Sequence, residues 1–234
     1  MRKRRIFLSA EWRDLLLFNF AVPDHLLLPY LPDGIELDRY DGSAFVSLVA
    51  FDFIKTKVLG IAWPGHKNFA EINLRFYVKR AGVRGVVFVR EIVPQHLTAW
   101  MARLLYNEPY VAAPIESVSH IEQNQLKKEF VLSWQGRKQV MGVTAKATAF
   151  MPDEKSIEHF FKEHEWGFGR SRSGSTTVYR VEHPPWRVYP FLNSKLDFDF
   201  AAVYGPQWAG LSGRKPDSVV FAEGSPIYVF SKDE

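Results

Sequence analysis

Cysteine is absent from the 234 residues, which excludes disulfides, thiolate zinc sites and a cysteine nucleophile while leaving the compartment open. No apolar run approaches the roughly 20 residues of a membrane helix, so no membrane partner is expected. The basic start Arg2 to Arg5 is followed by Glu11, Arg13 and Asp14 before an uncharged stretch of signal-peptide length develops, and the protein reads as cytoplasmic. Lys and Arg exceed Asp and Glu by only 30 to 26. With no basic helical face and no single-strand stacking module, nucleic acid is not an expected partner. HExxH is missing, and His159 and His164 stand on diverging faces of any helix, so no metal is expected. A GxSxG elbow, a phosphate-cradling loop and a dinucleotide fingerprint are missing too, which leaves no signature of a cofactor.

Aromatic residues are plentiful: 19 Phe, nine Tyr and seven Trp in a chain that is 47% apolar. Such a chain can bury a sizeable core, and without repeats or a linker residues 1–234 read as one domain. Its β-rich segments alternate with Gly- and Pro-containing turns. Strands are expected at Ile6 to Ala10 and Leu15 to Phe20, flanking Glu11 to Asp14, and again at Ile35 to Arg39 and Ala44 to Ile54. Two or three more lie between Ile115 and Met151 around a turn at Gln135-Gly136-Arg137, and short ones at Thr176 to Val181, Trp186 to Phe191 and Val219 to Ala222. Helical signals fall at Pro23 to Leu28, Pro94 to Tyr106 and Pro152 to His164, the last capped by Asp153 and stopped by Gly167 and Gly169. Leu59 to Asn68 and Ser171 to Ser175 read as loops.

The most informative stretch is Asn68 to Tyr110. Ile72, Leu74, Phe76 and Val78 are apolar while Asn73, Arg75, Tyr77 and Lys79 are polar, the period of a strand with two different faces. Gly82 and Gly85 follow, then Val86 to Val93, a hairpin with a loop of about five residues. A loop centred near Val83 sets Arg75 opposite Glu91. That pair is a candidate for chemistry, and equally an ordinary cross-strand ion pair worth roughly 0.2–1 kcal/mol. Trp186, beside Arg187, is a candidate cavity-lining residue, although aromatic residues in β-rich chains are more often plain core.

The phrases EWRDLLLFNF, LPYLPDGIELD, PGHKNFAEINLRFYVKR, GVVFVREIVP, ARLLYNEPY, YRVEHPPWRVYP and AEGSPIYVF resemble the YqjF-like family of uncharacterised bacterial proteins over nearly the whole chain. That family is distantly similar to acetoacetate decarboxylase. The resemblance implies a mainly β fold with a few helices, a curved antiparallel β-barrel-like structure enclosing a small-molecule cavity. It carries a cavity arginine to Arg13 and a cavity glutamate to Glu71. Where the decarboxylase has Tyr-Pro-Lys-Lys, with its Schiff-base lysine, this chain has Glu108-Pro109-Tyr110-Val111, and neither Tyr nor Val supplies an amine.

A small carboxylate or carbonyl compound is therefore the expected partner, bound with Arg13, Arg75 and Trp186. Two functions follow. The protein binds that compound without an imine, or it is a lyase- or hydrolase-type enzyme in which Glu71 and Glu91 are general acid and base on a small keto acid and Tyr110 is a proton donor. A homo-oligomer is compatible with either.

Overall fold

A computed structural model describes residues 6–96, 109–171 and 174–230. Four long antiparallel strands carry the fold: β1 (Ile6–Val22), β4 (Ser43–Val58), β5 (Phe69–Arg80) and β6 (Val83–Val93), paired in the order β1-β4-β5-β6. The short β2 (Glu36–Leu37) and β3 (Arg39–Tyr40) pair with β5 and β4. From the other edge of β1 the sheet continues through β14 (Ser218–Phe230), β12 (Thr176–Glu182) and β11 (Trp166–Arg170) back to β6, so it closes into a ring. The closure is a short parallel contact, Trp166 with Gly85 and Gly167 with Val86. Farther along β6, β7 (Tyr110–Ala112) adds in parallel. A second sheet holds β8 (Ile115–Glu122), β9 (Gln125–Trp134), β10 (Arg137–Lys146) and β13 (Phe191–Asp197) in the order β13-β10-β9-β8.

Period-two alternation divides the ring's side chains between two cores. Leu16, Phe18, Leu48, Leu74 and Phe76 pack with Phe130, Leu132 and Met141 of the second sheet. Leu17, Val49, Phe51, Tyr77 and Val220 form the other core with Phe160, Phe161 and Trp186. The two strands expected around Glu11 to Asp14 are one strand with an irregularity. Asp14 takes φ +55° opposite the Gly224 region, where φ is +81°, and the register with β4 shifts between Arg13 and Leu16. The shift changes parity, so that Ala10 and Trp12 share a core with Leu15 and Leu17.

The β5–β6 hairpin corrects the expected register. Ala81 and Gly82 both adopt positive φ, +48° and +80°, which is the backbone of a tight two-residue hairpin turn. Arg80 therefore pairs with Val83 and Arg75 with Phe88, not with Glu91. A bulge at Val89 then shifts the ladder, and Glu91 stands opposite Asn73.

Among the described residues the helices are shorter than their signals suggested. Pro23 to Leu28 forms two 3-10 turns, Asp24–Leu26 and Leu28–Tyr30. The expected helix after Pro152 is only α1 (Ile157–Lys162), capped by Ser156, whose hydroxyl accepts from the His159 amide. Gly167 and Gly169 do not stop it; they lie in β11. Between Trp186 and Phe191 only Val188 is paired, bridging Phe150 and Ala222, and Phe191 itself opens β13. The composition gave no sign of α2 (Phe200–Tyr204). The expected helix from Pro94 to Tyr106 lies largely outside the described residues.

Candidate functional site

Because β5 is regular, Glu71, Asn73, Arg75 and Tyr77 point to the same face. They should be exposed if this were a solvated surface. Instead they are 2%, 1%, 7% and 1% exposed, a buried polar strip beside an aromatic core. Burying it demands partners, since an unpaired polar or charged group out of water is costly.

At one end the partners come from β6 and β7. Glu91 faces Asn73 across the antiparallel ladder and is also 2% exposed, while Tyr110 is the parallel neighbour of Glu91. The Tyr110 hydroxyl donates to Glu71 Oε2 at 3.2 Å, and Asn73 Nδ2 donates to Glu71 Oε1 at 2.9 Å. Tyr110 is hydrogen-bonded to Glu91 as well. One phenol thus stands between two buried carboxyl groups. Burial pushes the Tyr110 phenol well above its ordinary value, and the charges of Glu71 and Glu91 add to it, so the group keeps its proton. For Glu71 burial dominates too. It pushes the carboxyl up to about 7, against the opposing help of the Asn73 and Tyr110 hydrogen bonds and the Arg75 charge. Glu71 is consequently able to hold or release a proton near neutrality, which an exposed glutamate cannot do.

At the other end stands α1. Six residues are too few for a stable isolated helix, and burial of Phe160 and Phe161 against Tyr77, at ring distances of 5.4 and 5.1 Å, holds it in place. Those two rings supply roughly 1.5–3 kcal/mol each. The helix's unpaired carbonyls then draw cations. Arg75 Nη2 donates to Phe161 O at 3.3 Å and Arg84 Nη2 to Phe160 O at 3.4 Å. Tyr77 continues the polar strip inward: its hydroxyl is 2.5 Å from Ser47 Oγ, which donates to Asn19 Oδ1.

The sequence-derived candidates are therefore gathered unevenly. Glu71, Glu91 and Tyr110 meet, and Arg75 shares their strand face. Arg13 does not join them. Trp12 turns into the aromatic core against Phe51 and Trp186, so its neighbour Arg13 faces the other way. There the Arg13 side chain is 41% exposed and paired with Glu11 Oε2 at 2.6 Å. Trp186 is buried, stacked on His183 at 4.2 Å and donating to Ser225 Oγ at 2.7 Å, a position within the core. Sequence reasoning missed Asn73 and His164. Asn73 was visible in the period-two pattern as a polar residue between Glu71 and Arg75. Among the described residues no group of three His, Cys, Asp or Glu is placed to hold a metal, and no helix is long and apolar enough to cross a membrane.

A ring of strands with a second sheet against it is the acetoacetate decarboxylase-like fold. The chain is similar to acetoacetate decarboxylase from Legionella pneumophila, with a TM-score of 0.63 at 12% identity over 99% of this chain and 88% of that one. It is similar also to the enduracididine biosynthesis enzyme MppR, with a TM-score of 0.67 at 14% identity over the same shares, 99% and 88%. The chain belongs to the DUF2071 family of uncharacterized conserved proteins, whose pattern matches residues 9–226. A relative in that class is the uncharacterized protein YqjF of Bacillus subtilis, 26% identical over 191 residues, 76% of this chain and 74% of the relative.

Proposed function

We propose that the protein binds a small carbonyl or carboxylate compound along the β5 strip and moves a proton on it, with Glu71 as the acid–base group. The observation that carries this reading is the buried Glu71 carboxyl, pushed up to about 7 and sharing the Tyr110 hydroxyl with Glu91. In its ionised form Glu71 accepts a proton from the carbon beside a carbonyl, the electron pair moves to the carbonyl oxygen, and the return of the proton completes the cycle. Asn73 holds Glu71 Oε1 in line, and the Tyr110 hydroxyl, which donates to Glu71 Oε2 in the resting site, turns to the developing enolate as Glu71 takes up the proton. Arg75 is the cation on the same face. No imine is formed, because Tyr110 and Val111 stand where the decarboxylase-like pattern has its lysines. The same fold holds pyruvate in MppR, which makes a keto acid a fitting probe.

The test is deuterium uptake. The full chain is incubated with pyruvate or 2-oxobutyrate in D2O, and loss of the C–H signals beside the carbonyl is followed by proton NMR. Uptake above the protein-free rate, lowered about 100-fold or more in Glu71→Gln, is the expected result. Saturable binding without uptake selects the second reading, a binding or sensing role favoured by the missing amine. Neither binding nor uptake overturns both.

A further inference from the structure

The strip beyond Glu71 contains groups that the acid–base reading leaves unused. Arg75 is 7% exposed and His164 8%, yet among the described residues Arg75 Nε and both ring nitrogens of His164 find no hydrogen-bond partner. The two side chains flank one phenol. The His164 ring lies 4.8 Å from the Tyr77 ring, and the Arg75 guanidinium carbon lies 5.9 Å from it. Arg75 already uses Nη2 on the Phe161 carbonyl and reaches the Tyr77 hydroxyl. Among the described residues no carboxylate is within ion-pair distance of it.

The charged and titratable groups facing His164 are Arg75 and Tyr77 from β5, Arg84 from β6, His159 from α1, and His183. Arg84 differs from Arg75 in being neutralised, its Nε lying 2.5 Å from Asp38 Oδ2. Arg75 and Arg84 therefore both turn positive charge toward the imidazole, and of the two only Arg84 is ion-paired among the described residues. Burial and then the charges of Arg84 and Arg75 hold His164 well below its ordinary pKa, neutral at pH 7. Buried donors without a hydrogen-bond partner, beside a guanidinium without an ion pair among the described residues, are chemistry that suits an anion.

We infer that Arg75 and His164 form the subsite for the carboxylate of the small molecule, with Arg75 Nε and a His164 N–H as its donors. The inference rests on the reading that a small carbonyl compound binds along β5, and it assigns that compound to the anionic class. A carboxylate set here reverses the field at His164. The ring gains an acceptor and loses the net positive surroundings that kept it neutral, so binding takes up a proton. Affinity then rises as pH falls, up to tenfold per pH unit for one proton.

The experiment uses the full chain labelled with carbon-13 and nitrogen-15 in histidine, with the His164 signals assigned through His164→Gln. Pyruvate, acetate, acetamide and inorganic phosphate are titrated at pH 6 and pH 7.5. Pyruvate and acetate are expected to move His164 toward imidazolium and to bind more tightly at pH 6, while acetamide does neither. Arg75→Met should weaken acetate at least tenfold. Glu71→Gln should keep acetate binding and the His164 response while losing deuterium uptake, so the subsite and the acid–base assignment fail separately. Unmoved His164 signals at saturating acetate, equal binding by acetamide, a phosphate response equal to that of acetate, or unchanged affinity in Arg75→Met each overturn the carboxylate assignment. If Arg75→Met does not fold, the wild-type comparison of acetate with acetamide at the two pH values decides.

Discussion

Glu71 and Tyr110 are 39 positions apart in the chain, and the Tyr110 hydroxyl meets Glu71 Oε2 at 3.2 Å. The contact exists because β7 adds to β6 in parallel and so sets Tyr110 beside Glu91, while the hairpin bulge brings Glu91 opposite Asn73. Three residues from three strands thereby share one buried proton-carrying network.

Glu71 should make the protein less stable as pH rises through neutrality. Its folded pKa of about 7 lies above the ordinary 4.5, so the native state binds more protons than the unfolded state between these values. Stability from this group is complete below about pH 4.5 and is lost as pH climbs through 7. The difference is about 3 kcal/mol at 1.36 kcal/mol per unit. Urea unfolding at pH 5 to 8 should show this decline in the wild type, and Glu71→Gln should flatten it and be the more stable form at pH 8. Parallel pH profiles for the two proteins would mean that Glu71 ionises as an ordinary carboxyl.

Tyr110→Phe removes the hydroxyl that serves both carboxyl groups. Leaving buried acceptors without their donor costs about 1–3 kcal/mol, and losing a bond that favours the ionised form moves Glu71 further upward. Tyr110→Phe and Glu71→Gln should therefore be coupled. A double-mutant cycle by urea unfolding at pH 7 is expected to give an interaction energy above about 0.5 kcal/mol, and additivity would disconnect the two side chains.

Much of this site was legible in the sequence, but in pieces. The alternation from Ile72 to Lys79 marked β5 and its two faces, because a period of two is written directly in residue type. Glu71 and Tyr110 came from the family resemblance, which aligned them without showing that they touch. The Arg75–Glu91 pairing misled because register depends on backbone torsions: Ala81 at φ +48° and the Val89 bulge leave no mark in apolar periodicity. The resemblance assigned Arg13 to a cavity, whereas the structure leaves it 41% exposed and paired with Glu11, since a parity change near Asp14 cannot be seen in composition. His164 was weighed only as a metal ligand beside His159. Its significance lies in being buried with neither ring nitrogen hydrogen-bonded among the described residues, a property of the packed chain alone.

Gly85→Ala should loosen the ring at its narrowest closure. A Cβ at this position would meet the Trp166 carbonyl and lie 2.6 Å from Phe168 Cε2, and the parallel contact between β6 and β11 is only two residue pairs. Overpacking against backbone typically costs 1–3 kcal/mol. The expected loss is about 2 kcal/mol in urea unfolding, accompanied by faster amide exchange at Gly167 and Phe168. A variant with wild-type stability and exchange would mean that the closure carries no strain.

The absence of an imine is the prediction that separates this protein from acetoacetate decarboxylase. Imine formation needs an unprotonated amine within reach of a carbonyl held at the acid–base cluster. Lys128 is buried, but its Nζ is already engaged by Asp52 at 2.5 Å, Asp14 at 3.2 Å and Ser119 Oγ at 2.9 Å. Lys162 is likewise buried and bound to Glu163. Lys146, flanked by alanines in β10, is exposed at the end of the second sheet. The hydrogen-bond partners of Glu71 are an amide and a phenol. Incubation with acetoacetate and sodium borohydride should therefore leave the intact mass unchanged under conditions that label a decarboxylase stoichiometrically. A single reduced adduct, mapped by peptide mass spectrometry to one lysine and blocked by pyruvate, would overturn the proposal that proton transfer here proceeds without a covalent bond.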